Sequence, residues 1–217
     1  MKILKHLILF ITAVSLAACS FACANEPDAP FIETVQDGDF AYDLYGDGAI
    51  TRVDVKKNGS SICVLKCNGK SFQLADLNFD GYNDIMLASA EKSEGYYECF
   101  IYQETVGTFS RNSTLVNIRI PIPVPETLKI NADILTKEIV SEDPEEYMEV
   151  HGSAIWEWNG GMLTQIYEEG IEYFSGSEIY CVYTSCVTDG VFARNDADDT
   201  WFWSYEDLVA AGYSFEH

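Results

Sequence analysis

Apolar and polar residues alternate along most of this chain with a period of two, the pattern of strands with one face buried. Residues 40–45, 50–55, 62–65 and 71–74 carry it, separated by Gly46-Asp47-Gly48, Asn58-Gly59 and Asn68-Gly69. The two Asn-Gly pairs predict hairpin turns, because both central residues of a type I′ turn need positive φ. Further strands are expected at 85–89, 96–103, 114–120 and 128–134, then near 149–158, 162–167, 178–183, 191–194 and 200–203. Pro121, Pro123 and Pro125 exclude a central strand there and predict a rigid crossing between halves. One helix is expected near the end. Ser204 is its N-cap, Asp207 follows three residues on, Leu208 to Ala211 form its body, and Gly212 stops it. Short strands at this spacing predict an all-β, antiparallel single domain, β-propeller-like or a β-sandwich, with a short C-terminal helix.

One stretch breaks the alternation with chemistry. Asp76-Leu-Asn78-Phe-Asp80-Gly81-Tyr82-Asn-Asp84 places oxygen-bearing side chains at alternate positions, then a glycine, then another carboxylate. Hard cations such as Ca²⁺ take six to eight oxygen ligands, so several carboxylates must converge. The predicted metal ligands are Asp76, Asn78, Asp80, the carbonyl of Tyr82, and Asp84, with Gly81 allowing the turn. An EF-hand would place Glu at the twelfth position; here that position is Leu87, inside a strand. The plainer alternative is a surface turn rich in Asp, Asn and Gly. A weak echo, Asp43-Leu-Tyr-Gly-Asp47-Gly48, lies 33 residues upstream. It has Tyr45 and Thr51 where ligands would stand, and reads as a degenerate structural turn.

The amino terminus stands apart. Lys2 and Lys5 precede an apolar run too short to span a bilayer, and Leu16-Ala17-Ala18-Cys19 has the form of a lipobox. Residues 1–18 are therefore read as a lipoprotein signal peptide, Cys19 as the lipidated residue, 19–39 as a tether and 40–217 as the folded domain. Cleavage after Ala22-Cys23-Ala24 is the competing reading. Either signal means export, and a lipobox places the protein in the periplasm or on the outer membrane of a bacterium, anchored and not spanning.

The charge is lopsided. The formal net charge is −22, and beyond residue 18 only 11 basic residues oppose 35 acidic ones. Nucleic acid is excluded as a partner, since phosphate backbones demand cationic surfaces. Cations or a basic protein partner are favoured. Beyond Cys19 there remain Cys23, Cys63, Cys67, Cys99, Cys181 and Cys186, and an oxidising compartment predicts at least one disulfide. Their spacing does not suit zinc.

The Asp76 loop, followed by Tyr97-Glu-Cys-Phe-Ile-Tyr and Gly107-Thr-Phe-Ser, resembles the calcium loops of FG-GAP and VCBS repeats. It is similar, more closely, to a family of bacterial periplasmic propeller-like proteins that includes immunity proteins inhibiting peptidoglycan hydrolases. The resemblance spans residues 76–115. It implies Ca²⁺ at the loop, an all-β fold and an inhibitor role against a basic cell-wall hydrolase.

Other chemistry is thinner. Trp156 with Trp158, and Trp201 with Trp203, could stack on sugars in a glycan-binding module, although alternate aromatics on a strand more simply fill a β core. Residues 195–199 read as a solvated acidic loop. His151 is isolated, no nucleophile context is present, and Asn112-Ser-Thr114 is a sequon without meaning in a bacterium. No catalytic constellation emerges, so the expectation is a binder and not an enzyme; a purely structural calcium-loop lipoprotein is the remaining alternative.

Overall fold

The computed structural model describes residues 29–215. Fourteen strands form two antiparallel sheets, each a meander. The first holds β1 (Phe31–Asp37), β2 (Phe40–Gly46), β3 (Ile50–Lys57), β4 (Ser60–Ala75), β5 (Asp84–Ser89), β6 (Tyr97–Gln103) and β7 (Thr108–Arg111) in chain order. The second runs from β8 (Arg119–Val124) through β9 (Lys129–Ile139), β10 (Tyr147–Asn159), β11 (Met162–Phe174) and β12 (Ile179–Thr188) to β13 (Val191–Arg194). Strand β14 (Thr200–Phe202) also pairs with β12, and helix α1 (Tyr205–Ala210) follows it. Neither sheet closes into a barrel, since the end strands of each pair on one side only. The all-β antiparallel expectation holds, with its short terminal helix.

The first sheet curls over a core of its own. Phe40 and Tyr42 on β2 lie 6.0 and 6.1 Å from the ring of Phe109 on β7, although four strands intervene. That is possible only if the sheet coils until its ends face each other, as strongly twisted sheets do. Tyr42, Leu44, Val53, Val55, Ile85 and Leu87 fill the inside. A second core forms the seam between the sheets: Met86, Cys99 and Ile101 of the first pack with Ile130, Ala132, Ala154 and Leu163 of the second. A third, around Tyr180, is covered by Leu208 of α1 and by Phe215.

Several expectations are corrected. Residues 31–37, assigned to the tether, form β1; Val35 packs against the first core and the Thr34 hydroxyl donates to Asp43 (2.6 Å). Asn58-Gly59 makes its turn with φ of +51° and +78°, but Asn68-Gly69 does not, and 60–75 is one long strand. Gly69 instead sits at a register shift where a Cβ would come within 2.8 Å of the Leu87 Cβ, so glycine serves close strand approach there. The strand expected at 114–120 is a 3₁₀ turn over Leu115–Asn117, held by the Asn112 side chain accepting from the N–H groups of Thr114 and Leu115. The proline run is the outer strand of the second sheet, where a missing N–H costs no ladder bond. Asp43 lies within β2 and not in a turn, and pairs with Lys56. Ser204 caps α1 as expected, accepting from the Asp207 N–H, and Gly212 (φ +93°) ends it.

The disulfide expectation also fails among the described residues, whose five cysteines are free. Cys63 and Cys67 share β4 four positions apart, about 13 Å at strand rise, too far to bond. Cys19, Cys23 and the signal segment lie outside the described residues.

Candidate functional site

The acidic loop occupies the connection from β4 to β5. Asp76 begins it and Asp84 opens β5. Its shape follows from short side chains bonding to nearby backbone. The Asp76 carboxylate accepts from the N–H groups of Asp80 (3.1 Å) and Gly81 (3.0 Å); the Asp80 carboxylate accepts from the Tyr82 N–H (2.9 Å) and the Asn78 amide (2.8 Å). Phe79 (φ +60°) and Gly81 (φ +88°) supply the left-handed turns. Leu77, the apolar residue among these polar ones, is fully buried in the seam between the sheets, and the Trp158 indole N–H donates to its carbonyl at 2.7 Å. That plug sets the position of the loop.

Asp84 behaves differently from its neighbours. It is fully buried, and its carboxylate accepts from the Leu77 N–H (2.9 Å) and the Tyr102 N–H (2.8 Å). Burial pushes its pKa up to about 7; the two backbone donors oppose that, while the charges of Asp80 and Asp76 add to it. The Tyr82 hydroxyl donates to Glu104 (2.8 Å), and the Asn83 amide to Asp37 (3.0 Å). Beside the loop, the Lys57 ammonium lies 4.8, 5.1 and 4.9 Å from the ring centres of Phe40, Tyr82 and Tyr102 and donates to the Tyr102 hydroxyl (3.0 Å). Sequence reasoning missed Leu77 and Lys57, and it read Trp158 as a core or sugar-stacking aromatic without its bond to the loop; only the isolated leucine within the polar run offered a signal.

The loop thus brings together Asp76, Asn78, Asp80 and Tyr82, with Asp84 buried behind them. The donor chemistry fits a hard cation, being all oxygen. Among the described residues, however, no three His, Cys, Asp or Glu side chains stand close enough together to hold an ion.

Elsewhere, a cleft of about 410 Å³ opens on the second sheet beside the seam, lined by Trp156, Glu168, Glu172, Tyr183 and Arg194 among others. Its charged side chains are engaged with one another or with neutral donors. Arg194 is paired with Glu172 and Asp199, and Glu168 accepts from the Tyr183 hydroxyl (2.5 Å) and the Gln165 amide (2.6 Å). Trp156 and Trp158 pack on the seam core as expected of strand aromatics. Trp201 and Trp203 do not: they are 49% and 74% exposed, because β14 is a short outer strand with no sheet over it. His151 contacts Glu149 (2.9 Å) and the Phe215 ring, a structural role.

Fold and loop together define an all-β protein of two antiparallel meanders with an acidic loop at one strand entrance. No family model and no curated protein matches the sequence. Among solved structures it is similar to one described as a Xanthomonas type IV secretion system related protein, with a TM-score of 0.54 at 11% identity, over 78% of this chain and 98% of the other. At that identity the likeness establishes a shared fold.

Proposed function

We propose that this chain is a calcium-binding lipoprotein of the bacterial envelope that binds a macromolecular partner, and that its specific task is to inhibit a peptidoglycan hydrolase as an immunity protein. It acts by binding and catalyses no reaction. The observation that carries the reading is the acidic loop, in which a buried carboxylate near neutral pKa sits behind two further Asp side chains. Asp76, Asn78, Asp80, Tyr82 and Asp84 would hold the ion only once the loop, whose acidic side chains stand too far apart as it lies, draws in around it. The shared fold with a secretion-system-related protein and the lipobox at Cys19 support an envelope setting. The acidic surface supports a basic partner.

Titration calorimetry of the metal-free protein with Ca²⁺ tests the first half, with Asp80→Ala as control; no heat from the wild type sinks it. Protection of peptidoglycan from a co-encoded basic hydrolase, measured by turbidity, tests the second. The exposure of Trp201 and Trp203 keeps glycan binding as a second reading. Quenching of their fluorescence by cell-wall saccharides is the measurement for it.

A further inference from the structure

Residues paired across an antiparallel ladder share a face, so the register of the second sheet sorts its side chains. Val150 pairs with Glu172 and Ala154 with Glu168. Their next partners on β12 are Cys181 and Ser185, with Tyr183 between them on the same face, and Ser185 pairs with Arg194 of β13. The cleft beside the seam is built on this face. Trp201 belongs to it too. It pairs with Cys181 from the outer side, and its half-exposed ring stacks at 5.9 Å on Phe174, two residues along β11 from Glu172. Between cleft and indole, the Arg194 guanidinium donates to the Cys181 sulfur (3.2 Å), to Glu172 (2.7 Å) and to Asp199 (3.0 Å). Tyr180 and Tyr205, 6.1 Å apart, lie on the opposite face, since Tyr180 alternates with Cys181.

The cleft is polar but already balanced. At Gly170 a Cβ would come within 2.9 Å of the Tyr183 ring, so the missing side chain lets that ring lie over the sheet and carry its hydroxyl to Glu168. Glu168 accepts from Tyr183 on one oxygen and from Gln165 on the other, and each oxygen keeps a further lone pair. Glu172 and Asp199 are held by Arg194, and Asp133 by Arg119. An incoming cation would find Glu168 already accepting twice and the other carboxylates paired with arginine. An anion would meet Glu168, Glu172 and Asp199 around a single guanidinium. A neutral ligand rich in hydroxyls takes the spare lone pairs and breaks no ion pair. The cavity of about 410 Å³ is the size of a small-molecule site, roughly 300–1,000 Å³. The Trp201 indole adds a flat apolar platform for the C–H face of a sugar ring. Cys181 and Ser185, the β12 partners of Trp201 and Glu168, are four positions apart, about 13 Å at strand rise. A ligand touching both must be longer than one ring.

We propose that this cleft, with Trp201 at its rim, binds a neutral oligosaccharide that stacks one ring on Trp201 and hydrogen-bonds Glu168 with another. The inference rests on the glycan reading and gives it a site on the second sheet, away from the acidic loop.

The test is calorimetry of the full chain with the N-acetylglucosamine tetramer, cellotetraose and maltotetraose, at low and high salt. At least one tetramer should bind, equally at both salt concentrations because it is uncharged, and its monosaccharide should bind at least about tenfold more weakly. Trp201→Ala should weaken binding about tenfold, and Trp201→Phe should recover most of that loss. Glu168→Gln should weaken it by at least about tenfold. Tyr205→Ala, an exposed ring on the other face, should change nothing. Thermal melts matching the wild type mark the variants as folded; should Glu168→Gln melt low, the two Trp201 variants decide. If no tetramer binds at millimolar concentration, the glycan reading itself fails. If one binds and either Trp201→Ala or Glu168→Gln binds it as well as the wild type, or Tyr205→Ala loses as much as they do, the reading stands and this site is overturned. An oligo-arginine peptide that binds the wild type but not Glu168→Gln, with no response to saccharide, would assign the cleft to a basic protein partner and overturn the proposal.

Discussion

The two sheets solve the problem of a β surface in opposite ways. The first coils until its aromatic face is dry: Phe40, Tyr42, Tyr102 and Phe109 meet ring to ring, and Lys57 closes the rim. The second is flanked on one face by the seam and by a cleft of paired charges, and on the other by a short helix; its tryptophans at β14 face solvent. Charge follows the same division. Residues 29–118 hold 13 acidic and seven basic residues, whereas 119–215 hold 19 and four. The difference teaches that one fold class can bury its aromatics by coiling a sheet on itself or by covering a flatter sheet with other elements, and that the excess negative charge goes with the second solution.

The contrast can be broken most sharply in the first core. Leu87→Ala, at a fully buried side chain, should cost about 2–5 kcal/mol, read as a fall in denaturation midpoint. Chelation comes next. With Ca²⁺ at 100-fold above Kd a single site adds about 2.7 kcal/mol, a large part of a net stability of roughly 5–15 kcal/mol, so EDTA should lower the melting temperature and Asp80→Ala should remove that response. Third, Arg194→Met leaves Glu172 and Asp199 without their cation and should cost about 1.5–3 kcal/mol, again by denaturant melt.

A pH series sharpens the comparison further. In metal-free protein the Asp84 pKa is raised to about 7 from an ordinary 3.8. Between those values the folded chain holds a proton that the unfolded chain releases, so its contribution is complete below about 3.8 and is lost as pH rises through 7. Chelated protein should therefore melt lower at pH 8 than at pH 6, and Asp84→Asn should abolish that slope. A flat response between pH 6 and pH 8 would show that Asp84 titrates at its ordinary value in the folded chain. Smallest of all, Trp203→Ala should shift the denaturation midpoint by no more than about 0.5 kcal/mol, since that side chain is three-quarters exposed.

Strand alternation made the β architecture legible, and Ser204 with Gly212 marked the helix because caps are written locally. The loop was legible for the same reason: Asp76, Asn78, Asp80 and Gly81 shape it through contacts no more than five residues apart. What escaped depended on distance in sequence. Gly69 reads as a turn until β5 is seen lying against it; Phe31 to Asp37 read as tether until paired with β2. Trp201 and Trp203 have the same alternation as Trp156 and Trp158, and only the position of β14 at the outside of its sheet separates exposed from packed. Lys57 is distant in sequence from Tyr102, and no local rule announces that meeting.

The indole of Trp158 holds the carbonyl of Leu77 across the seam, while Leu77 itself is wedged among residues of both halves. The acidic turn therefore cannot change shape without disturbing a fluorophore rooted in the other sheet. Nature has wired an optical gauge into the joint, and the emission of Trp158 is where any rearrangement of those nine residues should first be heard.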